Sequence, residues 1–190
     1  MGKRKICPRC GSNAASRFIY GLIHPDDLDN IRGNYVLGGC VIEEDAPTTQ
    51  CDTCAYRWGG KQLNLQGDIS KFTARTSDCW GFGAIQIEAD FQLGTITYSQ
   101  FEGPFSIPEI KQSIFTNNKK DLLIHTLEYS DFIDWIEQYK NNMVIDGRQW
   151  FVKLEFTDGS VIEKSGRNAY PGRWKYFCKK LSELANATFS

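Results

Sequence analysis

Two pairs of cysteines constrain this chain more than any other feature of its sequence. Cys7 and Cys10 lie in CPRCGS, and Cys51 and Cys54 lie in CDTCAY, so two residues separate the cysteines of each pair. This spacing lets one tight turn aim two thiolates at a single ion, and four thiolates in a tetrahedron suit zinc well. The sequence therefore predicts that these four cysteines hold one structural Zn2+.

The distance between the pairs and the residue after each pair qualify this prediction. Residues 11–50 separate the pairs, forty positions in all, which is longer than the roughly 15 to 20 of compact zinc modules. The loop-closure penalty grows only logarithmically with length, so a long insertion is compatible with the site. Gly11 suits the positive φ that such turns often need, whereas Ala55 at the equivalent position suits it less well.

The same cysteines are compatible with other ions and other chemistries. Four thiolates could also bind iron, or one pair could be oxidised and empty. A thioredoxin-like role is disfavoured, because neither CxxC opens a helix after a strand. Cys40 and His24 are spare potential ligands; we expect Cys40 to be a small buried residue in a strand and His24 to lie in a loop.

Composition excludes some functional classes and disfavours others. The chain is 41% hydrophobic and 13% aromatic, enough for a folded core, and its net charge is -1 from 22 basic and 23 acidic side chains. This balance argues against a duplex binder that relies on phosphate contacts. We expect no membrane span, because no apolar run reaches 18 residues. The basic N-terminus meets CPRC instead of an apolar stretch, and the free-cysteine pattern fits a reducing compartment, so we predict a cytoplasmic protein.

The distribution of cysteines and glycines predicts two domains. All four paired cysteines lie before residue 55, and WGGKQLNLQGD has three glycines and no hydrophobic periodicity. We therefore expect a zinc-held domain of β hairpins over residues 1–60 and a packed domain over residues 69–190, with the boundary near 59–68. The fold class that follows is α+β: a small zinc ribbon, then an antiparallel sheet with two or three helices.

Local patterns place the elements of the second domain. Alternating residues predict strands over 84–91 and 95–98 and a hairpin over 150–164 with its turn at Asp158-Gly159. An amphipathic stripe predicts a closing helix over 174–184. A capping-box spacing from Ser106 to Glu109 predicts a helix over 107–116, and apolar spacing predicts another over 131–139. DLLIHTLEY is too short to assign to strand or helix.

Two stretches resemble recurring modules. CPRCGS, followed by VLGGCVIEEDAPTTQCDTCAYRWG, resembles a zinc-ribbon module at the start of small bacterial proteins of unknown function, over roughly residues 5–60. The resemblance implies the same four zinc ligands, although this chain has Ala55 where glycine is commoner. DGRQWFVKLEFTDGSVIEKSGRNAYPGRWKYF resembles a C-terminal block of bacterial proteins of unknown function, and it implies no activity.

A closed four-thiolate site stabilises a fold but cannot activate water, so we assign no catalytic residue and lean against an enzyme. We favour a non-catalytic zinc protein that binds a macromolecule, most plausibly a protein. One alternative is a nucleic-acid binder that uses Tyr56, Arg57 and Trp58 as a stacking face. A weaker alternative is a hydrolase using Asp78, Cys79 and His125, and SGRNAYPGR is either a shaped turn or a ligand-binding loop.

Overall fold

Two β-sheets organise the chain, and each has its own cluster of buried residues. A computed structural model describes residues 5–28, 30–60, 69–144 and 146–189. The cysteine-bearing N-terminal part contributes the small sheet, and the remainder contributes a seven-stranded sheet with its helices. The predicted α+β class is confirmed.

The small sheet has the order β2-β1-β3-β4. Strands β1 and β2 are parallel, whereas β3 is antiparallel to both β1 and β4, which form its two sides. The second cysteine pair lies where β3 turns into β4. In chain order this part contains β1 (Ala15–Ile19), α1 (Pro25–Leu28), β2 (Tyr35–Leu37), β3 (Thr49–Cys51) and β4 (Arg57–Trp58).

The large sheet has the order β8-β7-β6-β5-β10-β11-β9. Neighbouring strands are antiparallel, except that the edge strand β9 runs parallel to β11. Its elements are β5 (Ile69–Asp78), β6 (Ala84–Asp90), β7 (Thr95–Phe101), β8 (Glu109–Ile114), α2 (Asn117–Tyr129), β9 (Gln138–Lys140), β10 (Arg148–Phe156), β11 (Val161–Arg167) and α3 (Trp174–Ala185).

Both α2 and α3 pack on one face of the large sheet. Leu127 of α2 and Leu181 of α3 are buried in the same cluster as Phe72 and Leu154 of the strands. Trp135 lies among further aromatic rings, 5.8 Å from Trp150 and 5.2 Å from Phe177 between ring centroids. The opposite face of the sheet is open and carries polar side chains, as expected for an antiparallel sheet with one solvated face.

Several sequence predictions are confirmed. The hairpin of β10 and β11 pairs Phe151 with Ser165 and turns at Gly159, whose φ is 84°. The closing helix is α3, and DLLIHTLEY, which the sequence does not assign to strand or helix, belongs to the helix α2. Most of the predicted domain boundary, residues 61–68, lies outside the described residues. The division into domains over 1–60 and 69–190 therefore stays a prediction.

The predicted helix over 107–116 is wrong, because this segment is strand β8. Ser106 satisfies a turn instead of capping a helix: its hydroxyl contacts both the backbone N–H and the carbonyl of Gly103. Pro108 then stands immediately before the strand, a position where its missing N–H is tolerated. Strand β7 offers a full hydrogen-bonding edge, and pairing with that edge outweighs the local capping signal.

The predicted helix over 131–139 is also wrong. A single 3-10 turn covers Phe132–Asp134, after which the chain extends into β9. Asp131 adopts a left-handed conformation with φ 54°, and the indole N–H of Trp135 donates to the carbonyl of Ser130. Phe132 enters the core from the 3-10 turn and Trp135 from the extended segment after it, so their spacing resembles a helical stripe without a helix.

Candidate metal centre

Four thiols converge at the junction of the two sheets. The Sγ atoms of Cys7, Cys10, Cys51 and Cys54 all lie within 4.8 Å of one another. The Sγ atoms of Cys7 and Cys54 are 3.7 Å apart, and those of Cys10 and Cys51 are 3.6 Å apart. Zinc–sulfur bonds of about 2.3 Å in a tetrahedron place neighbouring sulfurs about 3.8 Å apart. The cluster could therefore hold one metal ion.

The cysteines are free thiols in this arrangement and differ in their burial. Cys7 and Cys51 are buried beside Trp58, Cys54 is half-buried and Cys10 is exposed. The separations of 3.6 Å and 3.7 Å far exceed the roughly 2.05 Å of a disulfide bond. All four cysteines are free, so neither CxxC pair is oxidised in this structure.

The two cysteine turns share one backbone pattern. In the first, the carbonyl of Cys7 accepts a hydrogen bond from the N–H of Gly11 at 2.9 Å, and in the second the carbonyl of Cys51 accepts one from Ala55 at 2.9 Å. The N–H of each leading cysteine donates at 2.8 Å to a carbonyl five residues on, which belongs to Ser12 or Tyr56. Each CxxC is therefore held by its own turn, and the two turns face each other across the thiols.

The fifth residue of each turn has a left-handed conformation. Gly11 has φ 74° and Ala55 has φ 57°, as expected from the sequence. Glycine adopts this conformation freely, whereas a residue with a Cβ is strained by about 1–2 kcal/mol. The second turn consequently stores local strain that the first does not.

The surroundings act on the thiols in opposite directions. Burial raises the pKa of Cys7 and of Cys10 above the ordinary thiol value. Burial acts in the same direction on Cys51, but the backbone N–H groups of Cys54 and Thr53, together with the neighbouring thiols of Cys10 and Cys54, outweigh it and lower its pKa to about 7. A bound cation favours the thiolate form of every ligand, which links metal binding to proton release.

The first cysteine turn docks directly on the large sheet. The hydroxyl of Tyr139, in β9, donates a 2.8 Å hydrogen bond to the carbonyl of Pro8, and the N–H of Gly172 reaches the same carbonyl at 3.3 Å. A Cβ added at Gly172 would lie 2.6 Å from the carbonyl oxygen of Cys7. This close approach requires glycine at position 172.

The second cysteine turn has its own attachment to the remainder of the chain. The hydroxyl of Tyr56 donates at 2.6 Å to the carbonyl of Asp134, and the N–H of Gly59 donates at 3.3 Å to the carboxylate of Asp134. Burial, followed by the charge of Asp134, raises the pKa of Tyr56, so its phenol stays neutral and able to donate. The first cysteine turn is thereby tied to β9, and the second to the segment just before β9.

The remaining candidate ligands lie away from the cluster. Cys40 is exposed in a bend after β2, so the expectation of a buried strand residue is wrong; Gly38 and Gly39 end the strand before it. His24 is exposed and its Nδ1 lies 3.3 Å from the carboxylate of Asp26, which agrees with a loop position.

The residues of the hydrolase alternative are not brought together. His125 lines a cavity with Ile69, at the start of β5, whereas Cys79 follows the other end of that ten-residue strand. At about 3.3 Å per residue the two ends are about 30 Å apart. The carboxylate of Asp78 accepts hydrogen bonds from the backbone N–H groups of Trp80 and Phe82, which is the role of a turn residue.

The stacking face proposed for nucleic acid is largely occupied by contacts within the chain. Trp58 is 6% exposed and packs on Cys7 and Cys51, and the ring of Tyr56 stacks on that of Trp58. Arg57 is exposed, but its guanidinium lies 5.2 Å from the ring centroid of Phe18. This arrangement leaves Trp58 unavailable to an unpaired base.

Comparison with known proteins identifies no relative, so the assignment of a metal site depends on the geometry of the four thiols. No protein-family model matches the chain, and no curated protein matches it. Within the described part of the chain, each helix is too short or too polar to cross a bilayer.

Sequence reasoning missed the residues that dock the cysteine turns. The sequence patterns place Tyr139 in the predicted helix over 131–139 and Gly172 in the turn or loop of SGRNAYPGR. The position of Gly172 between Pro171 and Arg173 indicates a turn, but nothing in the sequence identifies Cys7 as its neighbour. The pairing of Tyr139 with Pro8 spans 131 residues and has no local signature.

Proposed function

We propose that this chain is a non-catalytic zinc protein in which Cys7, Cys10, Cys51 and Cys54 bind one Zn2+. The observation that carries the proposal is the pair of Sγ separations, 3.7 Å and 3.6 Å, which match the edges of a zinc–thiolate tetrahedron. The ion would fix residues 1–60 as a zinc ribbon. The first cysteine turn would then keep its hydrogen bond with Tyr139, and the second would keep its hydrogen bonds with Asp134.

The role of the ion is structural because the protein supplies all four of its ligands. A catalytic zinc site keeps one position open for water or substrate, whereas four thiolates close the coordination sphere. We favour zinc over iron because two CxxC turns are a common zinc-binding pattern. Reduced thiols also require a reducing compartment, which supports a cytoplasmic location.

The binding partner we propose is a protein, and the support is an exposed apolar surface at one end of the large sheet. Trp80 and Phe82 lie in the turn between β5 and β6, and Phe105 and Ile107 lie in the loop between β7 and β8, with exposed fractions of 72%, 52%, 99% and 95%. The two loops touch, because a Cβ at Gly103 would lie 3.3 Å from the ring of Phe82. We call these four residues the apolar end. Contiguous exposed apolar side chains mark interaction surfaces.

Elemental analysis of freshly purified, tag-free protein tests the metal assignment. We expect one equivalent of zinc in the wild type and in Cys40→Ser, which removes an exposed cysteine away from the cluster. Cys10→Ser should lose most of the bound zinc, because three thiolates bind it less tightly. Equal zinc content in Cys10→Ser and Cys40→Ser would contradict the assignment.

Co-purification from the host tests the partner assignment. We expect one specific protein to be retained by the wild type, lost with the variant Phe105→Ser/Ile107→Ser, and kept by Leu22→Ser. Leu22 is 94% exposed and lies in the N-terminal part of the chain, which forms the small sheet. It is therefore a matched control for removal of an exposed apolar side chain. Identical retention by both variants would contradict a role for the apolar end.

A further inference from the structure

The open face of the large sheet carries two adjacent rows of side chains that cross four strands. Pairing of β5 with β10, β10 with β11 and β11 with β9 fixes which residues are neighbours. The eight residues of the two rows also line one cleft of about 450 Å³. We call them the basic array; its first row is Arg75, Phe151, Ser165 and Gln138, and its second row is Ser77, Gln149, Arg167 and Lys140.

Three of the eight residues are cations, and two of these cations are direct neighbours. Arg167 lies opposite Lys140 in the β11–β9 pair. An anion above this pair would therefore meet two cationic side chains, and the several N–H groups of a guanidinium allow Arg167 to contact an anion in addition to other partners. The nearest acidic residue lining the cleft, Glu163, belongs to the following row.

The third cation is held in a fixed orientation at the far side of the array. The guanidinium carbon of Arg75 lies 4.8 Å from the ring centroid of Phe101, and its Nη1 lies 3.4 Å from the side-chain oxygen of Gln86. Stacking on an aromatic ring leaves the remaining guanidinium N–H groups able to contact an anion. Phe151 lies opposite Arg75 and is half-buried, so one aromatic surface separates the cations.

The spacing of the cations decides which anion fits. Arg75 and Lys140 are on strands separated by three sheet spacings of about 4.8 Å, which is about 14 Å. The guanidinium of Arg75 is also held over Phe101 of β7, on the side of β5 away from Lys140, so one phosphate group cannot contact both ends of the array, whereas a chain of phosphates can. The aromatic ring between them suits a planar base, because bases stack on aromatic side chains in single-stranded nucleic-acid sites.

We propose that the basic array binds a short stretch of single-stranded nucleic acid. Its phosphates would contact Arg75, Arg167 and Lys140, and one base would stack on Phe151. The sheet would act as a flat platform, a mode of recognition that unpaired bases allow and a duplex does not. This site lies apart from the thiol cluster and from Tyr56, Arg57 and Trp58, and it goes beyond the function proposed above.

Fluorescence anisotropy with a labelled oligothymidylate, on the full-length zinc-loaded protein, tests this proposal. Three phosphate contacts to a single strand predict a slope of about -2 in log K against log salt, which is an affinity loss of about twentyfold between about 50 and 200 mM salt. Lys140→Gln should weaken binding and reduce the slope by about 0.7, and Phe151→Leu should weaken binding about tenfold without changing the slope.

Lys179→Gln is the matched control, because it removes the same charge from an exposed position on α3, on the covered side of the sheet. It should bind like the wild type, and all three variants should keep the wild-type zinc content and melting temperature. The absence of binding at low salt would overturn the proposal, as would equal weakening by Lys179→Gln. So would tighter binding of duplex DNA, or competition by thymidine monophosphate as effective as by the oligonucleotide. None of these results would alter the zinc stoichiometry, so they are distinguishable from a failure of the zinc assignment.

Discussion

The hydroxyl of Tyr139 donates a 2.8 Å hydrogen bond to the carbonyl of Pro8, inside the first cysteine turn. Tyr139 is 3% exposed and belongs to the edge strand β9 of the large sheet. Burial raises the pKa of Tyr139, so its phenol is a donor throughout the physiological range. This contact joins the cysteine cluster to a strand that lies more than a hundred residues further along the chain.

Tyr139→Phe removes this donor and leaves the ring in place. The buried carbonyl of Pro8 then keeps only the longer contact from the N–H of Gly172, at 3.3 Å. We expect a loss of about 1–2 kcal/mol in the free energy of unfolding, measured by denaturant unfolding with zinc bound. Tyr170→Phe is the control, since that ring is 41% exposed and stacks on Trp174. Equal effects of the two variants would contradict a specific role for the Tyr139 hydroxyl.

Ala55→Gly should stabilise the zinc-loaded protein, and Gly11→Ala should destabilise it. Both positions have positive φ, and a Cβ added at Gly11 would lie 3.7 Å from the Cα of Gly172, an ordinary contact. The difference between the variants is therefore conformational: relief of about 1–2 kcal/mol, partly offset by the entropy of glycine in the unfolded chain. We expect changes of about 0.5–1 kcal/mol with opposite signs. Changes of the same sign would show that the two turns are not equivalent.

The seven cysteines should react with a thiol reagent in three groups. Cys40 is exposed and Cys79 is half-buried, so two thiols should react quickly in the zinc-loaded protein. Four more should appear when a chelator removes the metal. Burial raises the pKa of Cys178 to about 12, so its thiolate is scarce at pH 8 and it should react only after unfolding. Six quickly reacting thiols before chelation would contradict metal protection of the cluster.

Metal removal should loosen the N-terminal part before the large sheet. The buried cluster around the thiols contains Cys7, Cys51 and Trp58, which is too small a core to hold a module of about sixty residues without a cross-link. In hydrogen exchange after chelation, we expect amides of β1 and β3 to lose protection while those of β5 and β10 keep it. Amides near Tyr139 should lose part of their protection, because the hydrogen bond from Tyr139 to Pro8 is lost. Uniform loss of protection would show that the proposed boundary near 59–68 is wrong.

The sequence was most informative where function depends on residue type and short spacing. Two CxxC patterns predicted which thiols converge, and Gly11 and Ala55 predicted the left-handed positions. The hairpin of β10 and β11 was predictable because the alternation and the Asp158-Gly159 turn agree. In each case the information lies within a few residues.

The failures arose where distant partners decided the outcome. Ser106 and Glu109 have the spacing of a helix cap, but the open edge of β7 pairs with that segment and makes it β8. Phe132 and Trp135 have helical spacing, but Phe132 lies in a single 3-10 turn and Trp135 in the extended chain that follows it, and their rings pack together in the aromatic core. The docking of Gly172 on Cys7 depends on a backbone contact between sequence ends and could be seen only in three dimensions.

X-ray absorption at the zinc edge of tag-free protein tests the central claim most directly. The account predicts one zinc ion surrounded by four sulfur atoms at about 2.3 Å, with no light-atom ligand in the first shell. A first shell containing nitrogen or oxygen at about 2.0 Å, or protein that carries no zinc, would contradict it.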